Sequence, residues 1–231
     1  MHVRWFGQAA FLLTHGDHRV LVDPFGPMPA LAQRGMRFDY PPIRRVRADL
    51  VLVTHEHGDH NAVDAAEGEP RVVRSTAGTF ETAVGTLTAI ASEHDDAAGT
   101  RRGPNTIFAF TFGGLSVCHF GDFGQEALRD AQARAIGRPD LLFLPVGGGP
   151  TIDGERAHDI VQRLAPRWVV PMHYRTWALS FLDSAEDFLR RFEPESVHRL
   201  RSPEFETSKL PAASGPIVVV PAAPGQSGVA P

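Results

Sequence analysis

The side chains best suited to chemistry lie close together, in the stretch VLVTHEHGDH at positions 51–60. The apolar run up to Val53 predicts a buried strand, and polar residues begin where that strand ends. Alternate residues of an extended chain point the same way, so His55 and His57 can present their imidazole rings to one ion.

The turn that follows carries two more groups of the same chemical kind. Gly58 permits a sharp change of direction, after which Asp59 and His60 can face a second point nearby. Imidazole and carboxylate groups bind zinc and harder divalent ions such as manganese. A solvated loop rich in histidine is the alternative, but this density of ligand types just after a buried strand favours a metal site.

The stretch THEHGDH resembles the signature of the metallo-β-lactamase superfamily of hydrolases. The opening WFGQAAFLL, followed by VLVDPF, is similar to a narrower branch that includes ascorbate-6-phosphate lactonase and N-acyl-phosphatidylethanolamine phospholipase D. The resemblance covers residues 1 to about 220. In that branch the aspartate before proline lies behind the metal site, which implies this place for Asp23; capping of a turn is the alternative.

Three more metal ligands are implied by this resemblance, and each follows a predicted strand. His94 comes where the family supplies the third ligand of its first metal, and His173, in PMHY, resembles the family's last ligand. Asp122, in HFGD, stands in the context in which the superfamily keeps a carboxylate that bridges both ions. Gln125 stands where another histidine would also fit, which leaves the proton-transfer arrangement open.

The resemblance therefore implies ligands for two divalent ions, zinc or manganese. They fall into two groups of three and one bridging residue: His55, His57 and His94; Asp59, His60 and His173; and Asp122. Two neighbouring divalent ions lower the pKa of a shared water and polarise a carbonyl or phosphoryl oxygen. The expected reaction is attack by the resulting hydroxide on an ester, lactone or phosphodiester.

Four residues are candidates for catalysis or substrate contact. Asp59 is expected to orient the attacking hydroxide or shuttle its proton. His119 is expected to take part in catalysis, or to form a hydrogen bond behind the ligands. Arg102, in the loop at 95–106, can clamp an anionic substrate because arginine binds carboxylate and phosphate with two hydrogen bonds; a salt bridge within the loop is the alternative. Tyr174 is expected beside the substrate.

Composition narrows the class of protein. With 231 residues, 42% hydrophobic and 22% charged, the chain is typical of soluble globular proteins. The single cysteine, Cys118, excludes an internal disulfide and fits a reducing compartment. No apolar run approaches the roughly 20 residues that span a bilayer, and the opening MHVRWFGQAAFLL lacks the order of a signal peptide. A cytoplasmic protein without a membrane partner is expected.

Short strands with glycine-rich turns, interrupted by amphipathic helices, predict an α/β (α+β) fold of packed sheets with helices outside. The resemblance implies a four-layer αββα sandwich of metallo-β-lactamase type, with the metals at one edge between the sheets. A single metallo-hydrolase domain is expected over residues 1–221, and a disordered tail over 222–231. The irregular segment 25–47 is expected to be a lid or binding loop, or else a packing flap or subunit contact.

Local patterns predict further elements. Gly113 and Gly114 indicate a hairpin between two strands. Leu128, Ala131 and Ala135 indicate the inward face of a helix. The run at 217–220 indicates a final edge strand.

The leading hypothesis is a hydrolase of small molecules, because family members differ in substrate on one core. A nucleic-acid phosphodiesterase is the alternative. The net charge of -4 argues against it, because nucleic-acid-binding proteins usually carry an excess of basic residues. A third hypothesis is a non-catalytic metal-binding protein on the same fold. A homo-oligomer is allowed by the sequence.

Overall fold

Two β-sheets make up most of the protein. The computed structural model describes residues 1–212 and 214–225. Within these residues the strands are β1 (His2–Gly7), β2 (Ala10–His15), β3 (His18–Val22), β4 (Val46–Arg47), β5 (Leu50–Val53), β6 (Ala66–Glu67), β7 (Arg71–Arg74), β8 (Gly78–Thr82), β9 (Gly85–Glu93), β10 (Pro104–Phe112), β11 (Leu115–His119), β12 (Leu141–Pro145), β13 (Trp168–Met172), β14 (Val197–Arg199), β15 (Glu204–Glu206) and β16 (Ile217–Val220).

The helices of the described chain are short. They are α1 (Pro29–Gln33), α2 (Asp130–Ile136), α3 (Gly154–Leu164) and α4 (Glu186–Leu189). Single 3₁₀ turns lie at Val63–Ala65, Pro194–Ser196 and Thr207–Lys209. Among the described residues, no helix is both long enough and apolar enough to cross a membrane.

Within each sheet, strand direction places several loops on one side. One sheet has the order β15-β1-β2-β3-β5-β7, and the other has the order β14-β16-β13-β12-β11-β10-β9-β8. In the first sheet β1 and β3 both run antiparallel to β2, and β5 runs parallel to β3, so all three end on the same side. In the second, β9 and β11 run antiparallel to β10, and β11, β12 and β13 are parallel. The loops that follow β9, β11 and β13 therefore also leave from one side.

The two sheets pack face to face, which confirms the predicted sandwich. The ring centroids of Phe11 in β2 and Phe143 in β12 lie 4.4 Å apart. Trp5, Leu50 and Phe108 surround them and are at most 1% exposed. Burial of one such side chain stabilises the fold by about 1.5–3 kcal/mol. This interface is the main core.

Helix α3 lies on the outer face of the eight-stranded sheet. It connects the parallel strands β12 and β13, and the inner face of that sheet is already occupied by the other sheet. A crossover between parallel strands places its helix on a face of the sheet, which leaves the outer one. Its buried side chains are Ala157, Ile160, Val161 and Leu164, which share one face at helical spacing.

The outer face of the six-stranded sheet is covered mostly by irregular chain. Phe25 and Tyr40, from the segment 25–47, pack with Leu21 and Val51 of the sheet in a second apolar cluster. Burial raises the pKa of Tyr40 to about 12. The segment thus acts as a packing flap. It also lines a cavity of about 530 Å³, so a binding role for this segment stays a prediction.

Two local predictions differ from the structure. The strand at 217–220 pairs with both β13 and β14, so it lies inside the sheet and β14 forms the edge. The predicted helical face is wrong for Ala131 and Ala135, which are exposed, whereas Gln132 is buried. The predicted hairpin is confirmed by the pairing of β10 with β11.

The segment predicted as a disordered tail is described through Gly225. Its first residue, Ala222, donates a backbone hydrogen bond of 3.2 Å to the carbonyl oxygen of Ser202, and Pro224 is buried. The prediction for 226–231 lies outside the described residues. The domain boundary at 221 stays a prediction.

We expect Phe11→Ala to lower the free energy of unfolding by about 3–5 kcal/mol, because it leaves a cavity between the sheets. Val72→Ala is the control: its side chain is 40% exposed, and its loss should change that energy by no more than about 0.5 kcal/mol. Urea unfolding followed by circular dichroism measures both. Equal losses would contradict the inter-sheet core.

Candidate metal centre

The seven predicted metal ligands meet in one cluster at the shared edge of the sheets. Each contributes one ligand atom to at least one group whose atoms lie within 4.8 Å of one another. The groups are His55, His57 and His94; His55, His60 and Asp122; and Asp59, His60 and His173. Because the groups share members, they form a single continuous site able to hold metal.

Asp122 stands at the middle of the cluster. Its Oδ2 atom lies 3.0 Å from Nε2 of His173 and 3.2 Å from Nε2 of His94. Its Oδ1 atom lies 3.3 Å from Nε2 of His60. Oδ2 therefore lies close to members of both groups of predicted ligands, and Oδ1 faces His60 of the second group.

The turn before Asp122 fixes its direction. Gly121 has a φ of 55°, and a Cβ atom there would lie 2.5 Å from Oδ1 of Asn105 and 2.6 Å from Cβ of Thr54. Glycine is the residue that fits this left-handed, crowded position. The backbone N–H of Asp122 then donates to Oδ1 of Asn105 at 3.0 Å.

Two buried polar atoms test whether this site fits a cation. His60 Nε2 and Asp122 Oδ1 lie 3.3 Å apart without the alignment of a hydrogen bond, and neither has another hydrogen-bond partner among the described residues. An unsatisfied buried polar group costs about 1–3 kcal/mol, and coordination of a cation would satisfy both atoms. Imidazole and carboxylate are also the ligands of zinc and manganese. The residues present therefore fit a divalent metal.

The protonation of the histidines agrees with this fit. Burial, aided by the neighbouring His60, lowers the pKa of His55 to about 2. Burial and the nearby His94 also lower the pKa of His57. Both rings are therefore neutral near pH 7, and neutral imidazole is the form that binds metal ions.

The carboxylates at the middle of the cluster, in contrast, require positive charge nearby. Burial opposes the charge of Asp122, but His173 and His60 outweigh it and hold its pKa well below the ordinary value. Burial also opposes a charge on His60, but Asp122 and the aspartates at 59 and 23 raise its pKa well above normal. The centre therefore calls for positive charge, from a proton on His60 or from a metal ion.

Asp23 lies directly behind His60. Its Oδ2 atom is 2.9 Å from Nδ1 of His60, and it also accepts the hydroxyl of Thr54 at 2.7 Å. Its Oδ1 atom accepts the backbone N–H of Thr54 at 2.8 Å. These contacts turn Nε2 of His60 towards the centre, as expected of a residue behind a metal site.

His119 is buried, and both of its ring nitrogens have backbone partners. Nδ1 accepts the N–H of Gly121 at 3.1 Å, so the proton lies on Nε2, which donates to the carbonyl oxygen of Ala9 at 3.0 Å. Burial lowers its pKa and keeps the ring neutral. The geometry favours the supporting hydrogen bonds over proton transfer as the role of His119.

The predicted substrate residues lie outside the cluster. Tyr174 is buried, with its ring centroid 5.6 Å from that of Trp5, and burial raises its pKa. Arg102 lines a cavity of about 480 Å³, together with Arg101 and Arg156. The described lining of that cavity includes none of the seven predicted ligands. Substrate contact by Tyr174 and Arg102 stays a prediction.

Gln125 faces away from the site. Its side-chain amide exchanges hydrogen bonds of 2.8 and 3.1 Å with that of Gln132, and it accepts the backbone N–H of Glu93 at 3.2 Å. Gln125 therefore anchors helix α2 beside β9. No sequence pattern predicts this pair, because the two residues are seven positions apart and the fold brings their amides together.

Two polar residues at the centre were not predicted from the sequence. Asn105 positions Asp122, and Gln8 donates from Nε2 to Oδ2 of Asp59 at 2.9 Å. Both are 1% exposed. The available signal was a polar residue within an otherwise apolar run, which is clear for Gln8 in WFGQAAFLL.

Comparisons with known proteins agree with this geometry. Residues 2–173 match the family described as "Beta-lactamase superfamily domain". A UPF0173 metal-dependent hydrolase of Thermus thermophilus is 30% identical, over 88% of this chain and 97% of that protein. A UPF0173 metal-dependent hydrolase of Heliobacterium modesticaldum is 32% identical, over 80% of this chain and 87% of that protein.

Solved structures give the same result. A protein of Thermotoga maritima, described as a Zn-dependent hydrolase of the metallo-β-lactamase superfamily, has a TM-score of 0.74 and 30% identity, over 95% of this chain and 97% of that one. An isothiocyanate hydrolase from Delia radicum gut bacteria has a TM-score of 0.61 at 16% identity, over 84% and 92% of the two chains, and shows the shared fold alone. The chain therefore belongs to the UPF0173 family of metal-dependent hydrolases, within the metallo-β-lactamase superfamily.

Proposed function

We propose that the chain hydrolyses an ester, lactone or phosphodiester of a small anionic molecule, with two divalent ions, zinc or manganese, held by the cluster. The observation that carries this proposal is the set of overlapping ligand groups around Asp122. His55, His57 and His94 would hold one ion. Asp59, His60 and His173 would hold the other, and Asp122 would join the two.

When bound, two divalent ions supply an activated water near neutral pH and polarise the oxygen of the bond that is cleaved. The chain's own residues orient and shield this chemistry. His57 is exposed and Asp59 is half-buried, whereas His55, His60, His94 and Asp122 are buried. Substrate therefore reaches the cluster from the side of His57 and Asp59.

Asp59 has the properties of a group that accepts a hydrogen bond from water during hydrolysis. Burial opposes its charge, but the nearby His60 outweighs this and lowers its pKa. Asp59 is therefore ionised near pH 7 and can accept a hydrogen bond from a water that approaches on its open side. A carboxylate with a lowered pKa is a weak base, which favours orienting the attacking hydroxide over shuttling its proton. The Oδ2 atom of Asp59 lies 3.6 Å from Nε2 of His60.

The cavity beside His94 supports a preference for anionic substrates. Arg101 forms a salt bridge of 3.2 Å with Asp96, as the loop alternative predicts. Asp95 accepts four backbone N–H groups of the loop, including that of Arg102 at 2.8 Å. The guanidinium group of Arg102 has no ion pair with any described residue, so it is available to an anion.

We also propose the narrower branch and a cytoplasmic location. The contact of Asp23 with His60 agrees with the branch that includes ascorbate-6-phosphate lactonase and N-acyl-phosphatidylethanolamine phospholipase D. A cytoplasmic location is supported by the single cysteine, Cys118, which is buried and whose thiol pKa is raised by burial. The nucleic-acid and non-catalytic alternatives have no specific structural observation in their favour.

The direct test is elemental analysis of the purified protein, followed by a screen of chromogenic phosphodiesters, esters and lactones with added zinc or manganese. About two metal ions per chain and metal-dependent turnover of one substrate class are expected. A protein that binds metal but turns over none of them would point to the non-catalytic alternative.

We expect Asp122→Ala to remove most bound metal and to lower the hydrolytic rate by more than about 100-fold, because loss of even a supporting ligand contact costs 10–100-fold. His158→Ala is the matched control, since this ring lies on α3 against Phe192, with centroids 5.2 Å apart. Metal content per chain and initial rates measure both variants. If the two lose metal equally, Asp122 has no bridging role.

We expect Arg102→Ala to raise the Michaelis constant for an anionic substrate roughly tenfold, the worth of one charged hydrogen bond of about 1.5 kcal/mol. The constant for a matched neutral substrate should change little. Arg101→Ala is the control, because its charge is already paired with Asp96 and 71% of its side chain is exposed.

Kinetics with the charged and neutral pair, together with melting curves, separate the two accounts of Arg102. A loss that is independent of substrate charge and comes with a lower melting temperature would show that Arg102 only supports the loop.

A further inference from the structure

Gln8 occupies the turn between β1 and β2 and reaches into the metal centre. It is 1% exposed, and its Nε2 atom donates to Oδ2 of Asp59 at 2.9 Å. Its Oε1 atom is buried and has no hydrogen-bond partner among the described residues. Donation to a carboxylate fixes which end of the amide is nitrogen, so the unpartnered atom is an acceptor.

Asp59 depends on this contact for its orientation. It follows Gly58 in a loop and, at 16% exposure of its side chain, is much more open than Asp122 at 3%. Among the described residues, Gln8 is the one that donates a hydrogen bond to the carboxylate of Asp59. Without it, the Asp59 side chain would be free to rotate towards solvent.

The backbone of Gln8, whose side chain contacts Asp59, is strained. Its φ of 52° lies in the left-handed region, which glycine adopts without strain and glutamine rarely adopts. Its carbonyl oxygen accepts the N–H of His173 at 3.3 Å and Nε1 of Trp5 at 3.1 Å. Any residue can provide that carbonyl, so the backbone contacts do not account for a glutamine.

We propose that Gln8 is a positioning residue, which holds Asp59 in place for the second metal ion and the attacking water, and whose free Oε1 accepts a hydrogen bond from a donor that enters the site. This inference rests on the role given to Asp59 in the proposed function. Donors of this kind include a water molecule and a hydroxyl or amide N–H group of the substrate.

Two variants separate the side chain from the strained turn. Gln8→Gly keeps the carbonyl and removes both the strain and the amide. Gln8→Glu keeps the size and shape of the side chain but replaces the donor by an oxygen that repels Asp59. Ala165→Gly is the control for release of strain, because Ala165 has a φ of 46° at the end of α3 and lies outside the metal cluster.

The first readout does not need turnover: zinc or manganese affinity by chelator competition, with the melting temperature of the metal-free protein. Gln8→Gly and Ala165→Gly should melt no lower than the parent. Gln8→Gly and Gln8→Glu should bind one of the two ions about 10–100-fold more weakly and leave the other unchanged, as expected for loss of a contact behind a ligand. Ala165→Gly should bind both ions like the parent.

The second readout is the split between kcat and the Michaelis constant on the best substrate of the screen. Both Gln8 variants should lose about 10–100-fold in kcat. Parent-like affinity for both ions, or parent-like kcat, in Gln8→Gly would overturn the proposal. Equal weakening of both ions with a lower melting temperature would also overturn it, because it would mean a general loss of structure.

The two proposals fail in different ways. If the parent turns over none of the substrates, the proposed function fails while the ion affinities still decide the role of Gln8. If the parent is active and the Gln8 variants match it, the proposed function stands and the positioning role is wrong.

Discussion

The negative charge of Asp122, buried among imidazole rings, constrains the rest of the structure around it. An uncompensated buried charge costs several kcal/mol, so the chain must bring positive charge or a cation to within contact distance. Ring nitrogens of three histidines do lie 3.0–3.3 Å from its oxygens. They come from three different loops, and therefore the loops must end close together. The cost of burying Asp122 also explains why burial and metal binding coincide here. In a solvent-exposed site, water would screen the carboxylate, and no cation would be required.

The sheets meet that demand through strand direction. Loops that follow β1, β3 and β5 leave one sheet on the same side, and loops that follow β9, β11 and β13 leave the other together. Packing of the sheets through Phe11 and Phe143 then brings the two sets of loops into contact. Each ligand thus lies one to seven residues beyond a strand that contributes side chains to the core. The rigidity of the site comes from the sandwich, and its chemistry comes from the loops.

This arrangement also explains what the sequence could predict. Residue types and spacing after an apolar run indicated the ligands from His55 to His60, whereas His94, Asp122 and His173 were indicated by the resemblance to the superfamily. The burial of Gln132 could not be predicted, because it depends on a hydrogen bond with Gln125, seven positions away. The interior position of β16 could not be predicted either, since pairing with β14 is decided by how the chain returns after α4. Periodicity reports which side chains are apolar, whereas a buried polar pair or a strand order is a property of contacts far apart in sequence.

Three residues of the site share an uncommon backbone. Gln8, Asp23 and His173 have φ values of 52°, 46° and 53°, and all three are buried. Each such position costs energy that the surrounding structure must supply. Two of them are in direct contact, because the carbonyl of Gln8 accepts the N–H of His173, while Asp23 accepts from His60. A side chain leaves the backbone in a different direction in the left-handed region than in a strand. Strain at these turns is therefore how the ends of ordinary strands direct an amide to Asp59, an imidazole to Asp122 and a carboxylate to the back of His60. The sandwich core, rather than the loops, has to stabilise it.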